Sequence, residues 1–274
     1  MRNILVRLLS IAVVVFACSS AQAQVVFVNT CSATVNELAV DHFDSAYMGV
    51  WNCNQVFIND AWSRFHLGRD SNWFEYGYTS PCNTTLPLAR TFNALNVLYY
   101  AGTANPTCNL SDPNVLVWAA CWAGDSFHYL MPVCPKSANA TTFFGTFELN
   151  PRTELHKPFF YFRDVHLRAS TLFHEARHAD GWCSHTSRCR AGTNACDPNW
   201  LNGCVGFSSS SGLGSFGFGV VYNSWFANSA RANYTNATLR QRSVDEGNSR
   251  LAANFEQDPC FRLDGNGVPF WTCP

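Results

Sequence analysis

Two histidines four positions apart, with a glutamate directly after the first, occupy the segment 174–178, HEARH. On a helix such spacing places both imidazoles on one face, where His174 and His178 can bind one metal ion. Glu175 can then take a proton from a water that the ion activates. Zinc lowers the pKa of such a water to about 7. The spacing therefore predicts one Zn²⁺ per chain, with His174 and His178 as ligands and Glu175 as the general base.

The residues around this segment favour the helix that this chemistry requires. Asp164 stands where a helix cap is expected, and Gly181 stands where a helix stop is expected. We therefore predict a helix over 165–180. Apolar residues recur along one side of it: Val165, Ala169, Leu172, Phe173 and Ala176. Polar residues recur at four-residue intervals: His166, Ser170, His174 and His178.

Short apolar runs rich in strand-forming residues precede this helix and predict a mostly antiparallel sheet. Further helices are expected after it, at 222–231 and 236–255, whereas the Gly/Ser-rich run 206–219 is typical of a flexible loop. We expect a single domain over 24–274, rich in strands first and in helices later. The predicted strands are 25–28, 96–100, 115–121, 127–133, 142–149 and 158–162.

The first residues resemble an export signal. Arg2 and Arg7 precede an apolar run at 8–17, and the small-x-small signal Ala21-Gln22-Ala23 follows. We expect residues 1–23 to be removed and the mature chain to begin at Gln24, secreted or periplasmic. A lipoprotein attached through Cys18 is the alternative.

Composition agrees with export. Of the 13 cysteines, only Cys18 lies in the signal segment, and an even number of cysteines in an exported chain predicts disulfides. No C-x-x-C pair indicates a cysteine zinc site. The net charge of -1 gives no reason to expect nucleic acid as a partner. Beyond the signal segment no run is apolar and long enough to predict a transmembrane helix, and the oligomeric state is left open.

Through HEARH and its helix, the chain resembles the zincin zinc metallopeptidases over roughly residues 160–200. That resemblance implies an α+β fold, with a mostly antiparallel sheet packed on the helix that carries the motif. It also implies an endopeptidase that hydrolyses peptide bonds in a protein or peptide substrate, with Glu175 as base.

Three residues compete as the third zinc ligand. Asp197, in GTNACDPNW, resembles the aspzincin pattern GTxxDxxYG with one extra residue, and Gly192, Thr193 and Trp200 accompany it. His185, after Gly181, resembles the metzincin pattern HExxHxxGxxH, again with one extra residue and with no methionine after Met131. Glu246 on the last predicted helix would correspond to a gluzincin. Asp197 is favoured slightly.

Two other classes of protein stay open. One is a non-catalytic exported protein that keeps the zincin scaffold for binding, although such a protein has no need of a base at Glu175. The other is a disulfide-rich structural protein without a metal.

Overall fold

The computed structural model describes residues 54–69, 73, 87–134, 136–143, 151–180, 215–231, 234–255, 261–263 and 269–271. Within them, seven α-helices and five short strands follow one another. The helices are α1 (Gln55–Arg64), α2 (Pro87–Tyr100), α3 (Val115–Ser126), α4 (Lys157–Tyr161), α5 (Val165–Ala179), α6 (Ser215–Ala227) and α7 (Ala237–Phe255). The strands are β1 (Tyr129–Pro132), β2 (Ala140–Phe143), β3 (Arg152–Leu155), β4 (Phe261–Leu263) and β5 (Pro269–Trp271). The expected α+β class is therefore confirmed.

The larger sheet is small and mixed. Its strand order is β1-β3-β2, with β1 parallel and β2 antiparallel to β3. Strands β4 and β5 form a separate antiparallel pair. The expectation of a mostly antiparallel sheet is wrong for this sheet, because β1 runs parallel to β3. Among the described residues, helices α2, α3, α5 and α6 supply most of the core.

Three predicted strands are helices. The run 96–100 ends α2, the run 115–121 begins α3, and 158–162 largely coincides with α4. Helix α2 is buried along almost its whole length, so its sequence has no polar face that would reveal the helical period. Asn114 caps α3 by accepting a hydrogen bond from the Leu116 amide at 3.1 Å. The expected strand-rich first half is thus helical over 87–100 and 115–126.

The bounds of the other predicted elements agree more closely with the structure. The run 127–133 contains β1, and 142–149 overlaps β2 in its first two residues. The helix expected at 236–255 is α7. The helix expected at 222–231 starts earlier and ends earlier, as α6, so residues 215–219 of the predicted Gly/Ser loop are helical. The predicted strand 25–28 lies outside the described residues.

Helix α5 carries the HEARH motif, and its prediction is confirmed within one residue at its C-terminus. All five residues of the predicted apolar side are buried. Asp164 occupies the N-cap position, but its carboxylate accepts two hydrogen bonds from Arg242 Nη1, both of 2.6 Å, and makes no capping bond. This ion pair ties the start of α5 to α7. Gly181 lies outside the described residues.

Three neighbouring helices hold α5 in place. Trp122 of α3 packs on Phe173, with ring centroids 5.0 Å apart. Behind the helix, the Asn223 amide of α6 donates to Ser170 Oγ at 2.9 Å, and Ser243 of α7 donates to Asn223 Oδ1 at 3.2 Å. The three hydrogen-bonded side chains, Ser170, Asn223 and Ser243, are fully buried. Since a buried polar group is costly unless paired, this network fixes α5 against α6 and α7.

The three described cysteines are all disulfide-bonded. Cys108 pairs with Cys121, and Cys134 is also oxidised. This agrees with the predicted pairing, whereas the other nine mature cysteines lie outside the described residues. None of the helices in the described ranges has the length and apolar character that crossing a membrane requires.

Candidate functional site

The two histidines of the motif lie together on one face of α5. Their ring centroids are 4.9 Å apart and the rings are nearly perpendicular. Both are buried: His174 is 6% exposed and His178 is 7% exposed. Imidazoles that share one tetrahedral zinc at 2.0–2.1 Å have ring centres about 5 Å apart. The spacing of these rings therefore fits a shared ion.

Glu175 lies beside His174 and is held by the sheet. Its Oε1 is 4.0 Å from His174 Nε2, and its Oε2 accepts a hydrogen bond of 2.7 Å from Thr142 Oγ1. Thr142 Oγ1 is 2.8 Å from Thr153 Oγ1. Because Thr142 gives its one hydroxyl proton to Glu175, Thr153 is the donor in this second bond. The two threonines face each other across β2 and β3, so the sheet itself orients the carboxylate.

Burial changes the acidity of this carboxylate. Loss of solvent raises the pKa of Glu175 to about 7, while the Thr142 hydrogen bond and the positive charge of Arg250 oppose that rise. A carboxyl group whose pKa lies near neutrality exchanges protons readily at physiological pH, which is the property of a general acid or base.

Helix α6 forms the opposite wall of the site. Ser215, its first residue, has its Oγ 3.0 Å from His178 Nε2. The ring of Phe216 lies 5.1 Å from the ring of His174, and the Arg250 guanidinium lies 5.9 Å from the Phe216 centroid. The site is therefore bounded by β2 on one side and by α6, backed by α7, on the other.

Of the remaining candidate residues, Glu246 and His166 lie in the described part of the chain. Asp197 and His185, the two candidates for third ligand, lie outside the described residues. The carboxylate of Glu246 contacts two arginines, Arg250 at 2.8 Å and Arg163 at 3.4 Å. His166, in the same stripe as the motif, stacks on Phe226 with centroids 5.0 Å apart. His166 is thus a core residue.

In the described part of the chain, one cluster contains three potential metal-binding atoms within 4.8 Å of one another: Cys108, Cys121 and Asp125. Its two sulfur atoms are joined in a disulfide. Because cysteine binds a metal as a thiolate, and these two sulfurs are bonded to each other, this cluster is not a metal site. His174 and His178, with ring centroids 4.9 Å apart, remain the candidate pair of nitrogen donors.

Sequence reasoning missed the residues that surround the motif. Thr142 and Thr153 hold Glu175, Ser215 contacts His178, and Arg250 affects the Glu175 pKa. Each lies more than 20 positions from the residue it serves, and threonine, serine and arginine are common on any surface. No local pattern in the sequence marks them.

Comparison with known proteins assigns the chain to no family. No protein-family model matches it, and neither a curated protein nor a solved structure matches it significantly.

Proposed function

We propose that this protein is a secreted zinc-dependent endopeptidase, with His174 and His178 as zinc ligands and Glu175 as general base. One observation carries the proposal. The buried Glu175 lies 4.0 Å from His174, whose ring is 4.9 Å from that of His178, and Thr142 donates a hydrogen bond to one of its carboxylate oxygens. A glutamate in a purely structural helix has no need of such an arrangement.

The donor set fits zinc as far as the chain is described. It supplies two imidazole nitrogens, and zinc in hydrolytic sites takes three protein ligands and keeps one open position. The third ligand is proposed to be Asp197, with His185 as the alternative. Bound there, zinc would supply an activated water and a Lewis acid for the substrate carbonyl.

The two oxygens of Glu175 have different tasks in this proposal. Oε2 is occupied by the Thr142 hydroxyl, which keeps the carboxylate from rotating. Oε1 is the oxygen turned toward His174. A proton from the attacking water would therefore go to Oε1 and from there to the leaving amine. Thr142 is a positioning residue, since it acts through Glu175.

Strand β2 offers a place for the substrate backbone. It is an outer strand of the sheet within the described residues, and all four of its residues are half-buried. Extended peptides bind to sheet edges through main-chain hydrogen bonds. A peptide that adds to β2 beside Thr142 would pass next to Glu175, as an endopeptidase requires.

We expect purified, disulfide-bonded protein to cleave casein or a mixed peptide library only while zinc is present. Treatment with 1,10-phenanthroline should abolish cleavage, and added zinc should restore it. The non-chelating isomer 1,7-phenanthroline serves as the control. Cleavage that survives removal of the metal would refute a zinc peptidase.

A non-catalytic binding protein on the same scaffold is the second candidate. The 3.0 Å contact between His178 Nε2 and Ser215 Oγ favours it, because this nitrogen already has a hydrogen-bonding partner. Such a protein would show no cleavage at any zinc concentration, and Ser215→Ala would not change that. If the protein is a peptidase, we expect Ser215→Ala to bind zinc at least as tightly as the unchanged protein, because His178 Nε2 then loses a competing partner.

A further inference from the structure

A cavity of about 700 Å³ opens between described residues of the segment that joins β1 to β2 and residues 157–163. Its volume lies within the 300–1,000 Å³ that is typical of ligand sites. We refer to it as the basic cleft. Three of its nine described lining residues are cationic and none is acidic: Lys136, Lys157 and Arg163.

Nearby carboxylates neutralise only part of this charge. Glu154 is shared by Lys136 at 2.6 Å and Arg152 at 3.2 Å. Glu246 is shared in the same way by Arg163 and Arg250, as described above. Each of these carboxylates thus contacts two cations. The described residues around the cleft therefore include more cations than carboxylates, although the chain as a whole has a net charge of -1.

The cleft also has an apolar wall. Pro158 and Phe162 line it together with the cations. Phe162 is 45% exposed, one of few large hydrophobic side chains at the described surface with such exposure. A small inorganic anion would leave this wall uncovered. The combination fits an acidic side chain with an apolar neighbour, as a peptide provides.

The position of the cleft relates it to the candidate active site. Asn139 lines the cleft and Thr142, three residues further along, contacts Glu175. At about 3.3 Å per residue, an extended strand covers this separation in about 10 Å. A peptide lying along β2 would therefore reach the cleft about three residues from the bond next to Glu175.

We propose that the basic cleft binds an acidic residue of the peptide substrate, about three positions from the bond that is cut. The inference rests on the proposed peptidase function, because the bound peptide is a substrate only if the protein cleaves it. Binding itself can be measured without hydrolysis. The preference for an acidic residue over a neutral one would come from charge, so salt should weaken this preference.

The test uses two rhodamine-labelled decapeptides, one with glutamates alternating with leucine and alanine, and one with glutamine at each glutamate position. Binding to the full chain is followed by fluorescence anisotropy with 1,10-phenanthroline present, which prevents cleavage and is itself uncharged. We expect the acidic peptide to bind about tenfold tighter at low salt, since three partly exposed ion pairs supply that much. The preference should vanish near about 0.5 M salt, where screening is strong.

Variants locate the binding. Lys136→Gln/Lys157→Gln should reduce the preference to about twofold, because two of the three ion pairs are lost. Arg240→Gln removes the same kind of charge from a residue that does not line the cleft and should leave the preference intact. Thermal unfolding of each variant checks that the fold is retained, and Lys157→Gln alone serves if the double variant does not fold.

Several outcomes would overturn the proposal. They are equal binding of both peptides, a preference that survives in the cleft variants, or displacement of the peptide by inorganic phosphate at the same concentration as by free acidic peptide. The last result would identify a phosphate site. An acidic preference without cleavage at any zinc concentration would leave the cleft in place and remove the peptidase function. Cleavage without an acidic preference would leave the peptidase function in place and remove the cleft as a site for acidic residues.

Discussion

Glu175→Gln is expected to lower the rate of peptide hydrolysis by about 10³-fold or more, while zinc stays bound. A general base contributes about 10²–10⁴-fold to the rate, and glutamine cannot accept the proton at Oε1. The substitution is nearly isosteric, so Thr142 Oγ1 can still donate to the remaining carbonyl oxygen. The fold and the metal should therefore survive.

Initial rates with casein and zinc content by elemental analysis are the measurements. Asp245→Asn is the matched control, because it makes the same acid-to-amide change at an exposed residue of α7. Loss of zinc in Glu175→Gln would mean that Glu175 is a ligand. An unchanged rate would mean that the base is elsewhere.

His174→Ala and His178→Ala are each expected to weaken zinc binding by more than roughly 10–100-fold. That smaller loss is typical when the removed group only hydrogen-bonds to a metal ligand. Each removes one of the two nitrogens that the described residues bring together. His166→Ala is the control, because it removes a buried histidine from the same stripe of α5. That variant should lose stability, since its ring packs on Phe226, but it should keep zinc.

Titration with a zinc chelator measures zinc binding by these histidine variants, and the same measurement decides the third ligand. We expect Asp197→Ala to lose zinc and His185→Ala to keep it. The opposite result would favour the metzincin-like arrangement. Loss of zinc in His166→Ala, with His174→Ala unaffected, would contradict the assigned site altogether.

The motif helix could be predicted because its signals are local. Apolar residues recur at helical spacing, Asp164 precedes the first turn, and the whole pattern lies within 16 residues. The pattern did not show that Asp164 would pair with Arg242 across 78 positions instead of capping the helix. Tertiary contacts of this kind leave no trace in the neighbouring sequence.

Helices α2 and α3 could not be distinguished from strands in the same way. Short apolar runs fit either state when both faces are buried. In α2 even Arg90, Thr91, Asn93 and Asn96 are buried, so polarity does not mark an outer face. In α4 the short aromatic run after Pro158 fits either state, and the proline is acceptable in a first helical turn.

The candidate site likewise contains residues that a local pattern predicts and residues that only tertiary contacts bring in. His174, Glu175 and His178 could be found because the chemistry requires a fixed spacing within one helix. Thr142 reaches Glu175 from 33 positions away and Ser215 reaches His178 from 37. The basic cleft also combines residues from two separate segments, 134–139 and 157–163. Only the fold brings these groups together.

The most direct test of the central claim is the zinc content of the purified full chain with its disulfides intact. Elemental analysis after dialysis against metal-free buffer should give about one zinc per chain, and His174→Ala/His178→Ala should give none. Native protein that holds no zinc, and takes up none when zinc is added, would contradict the claim.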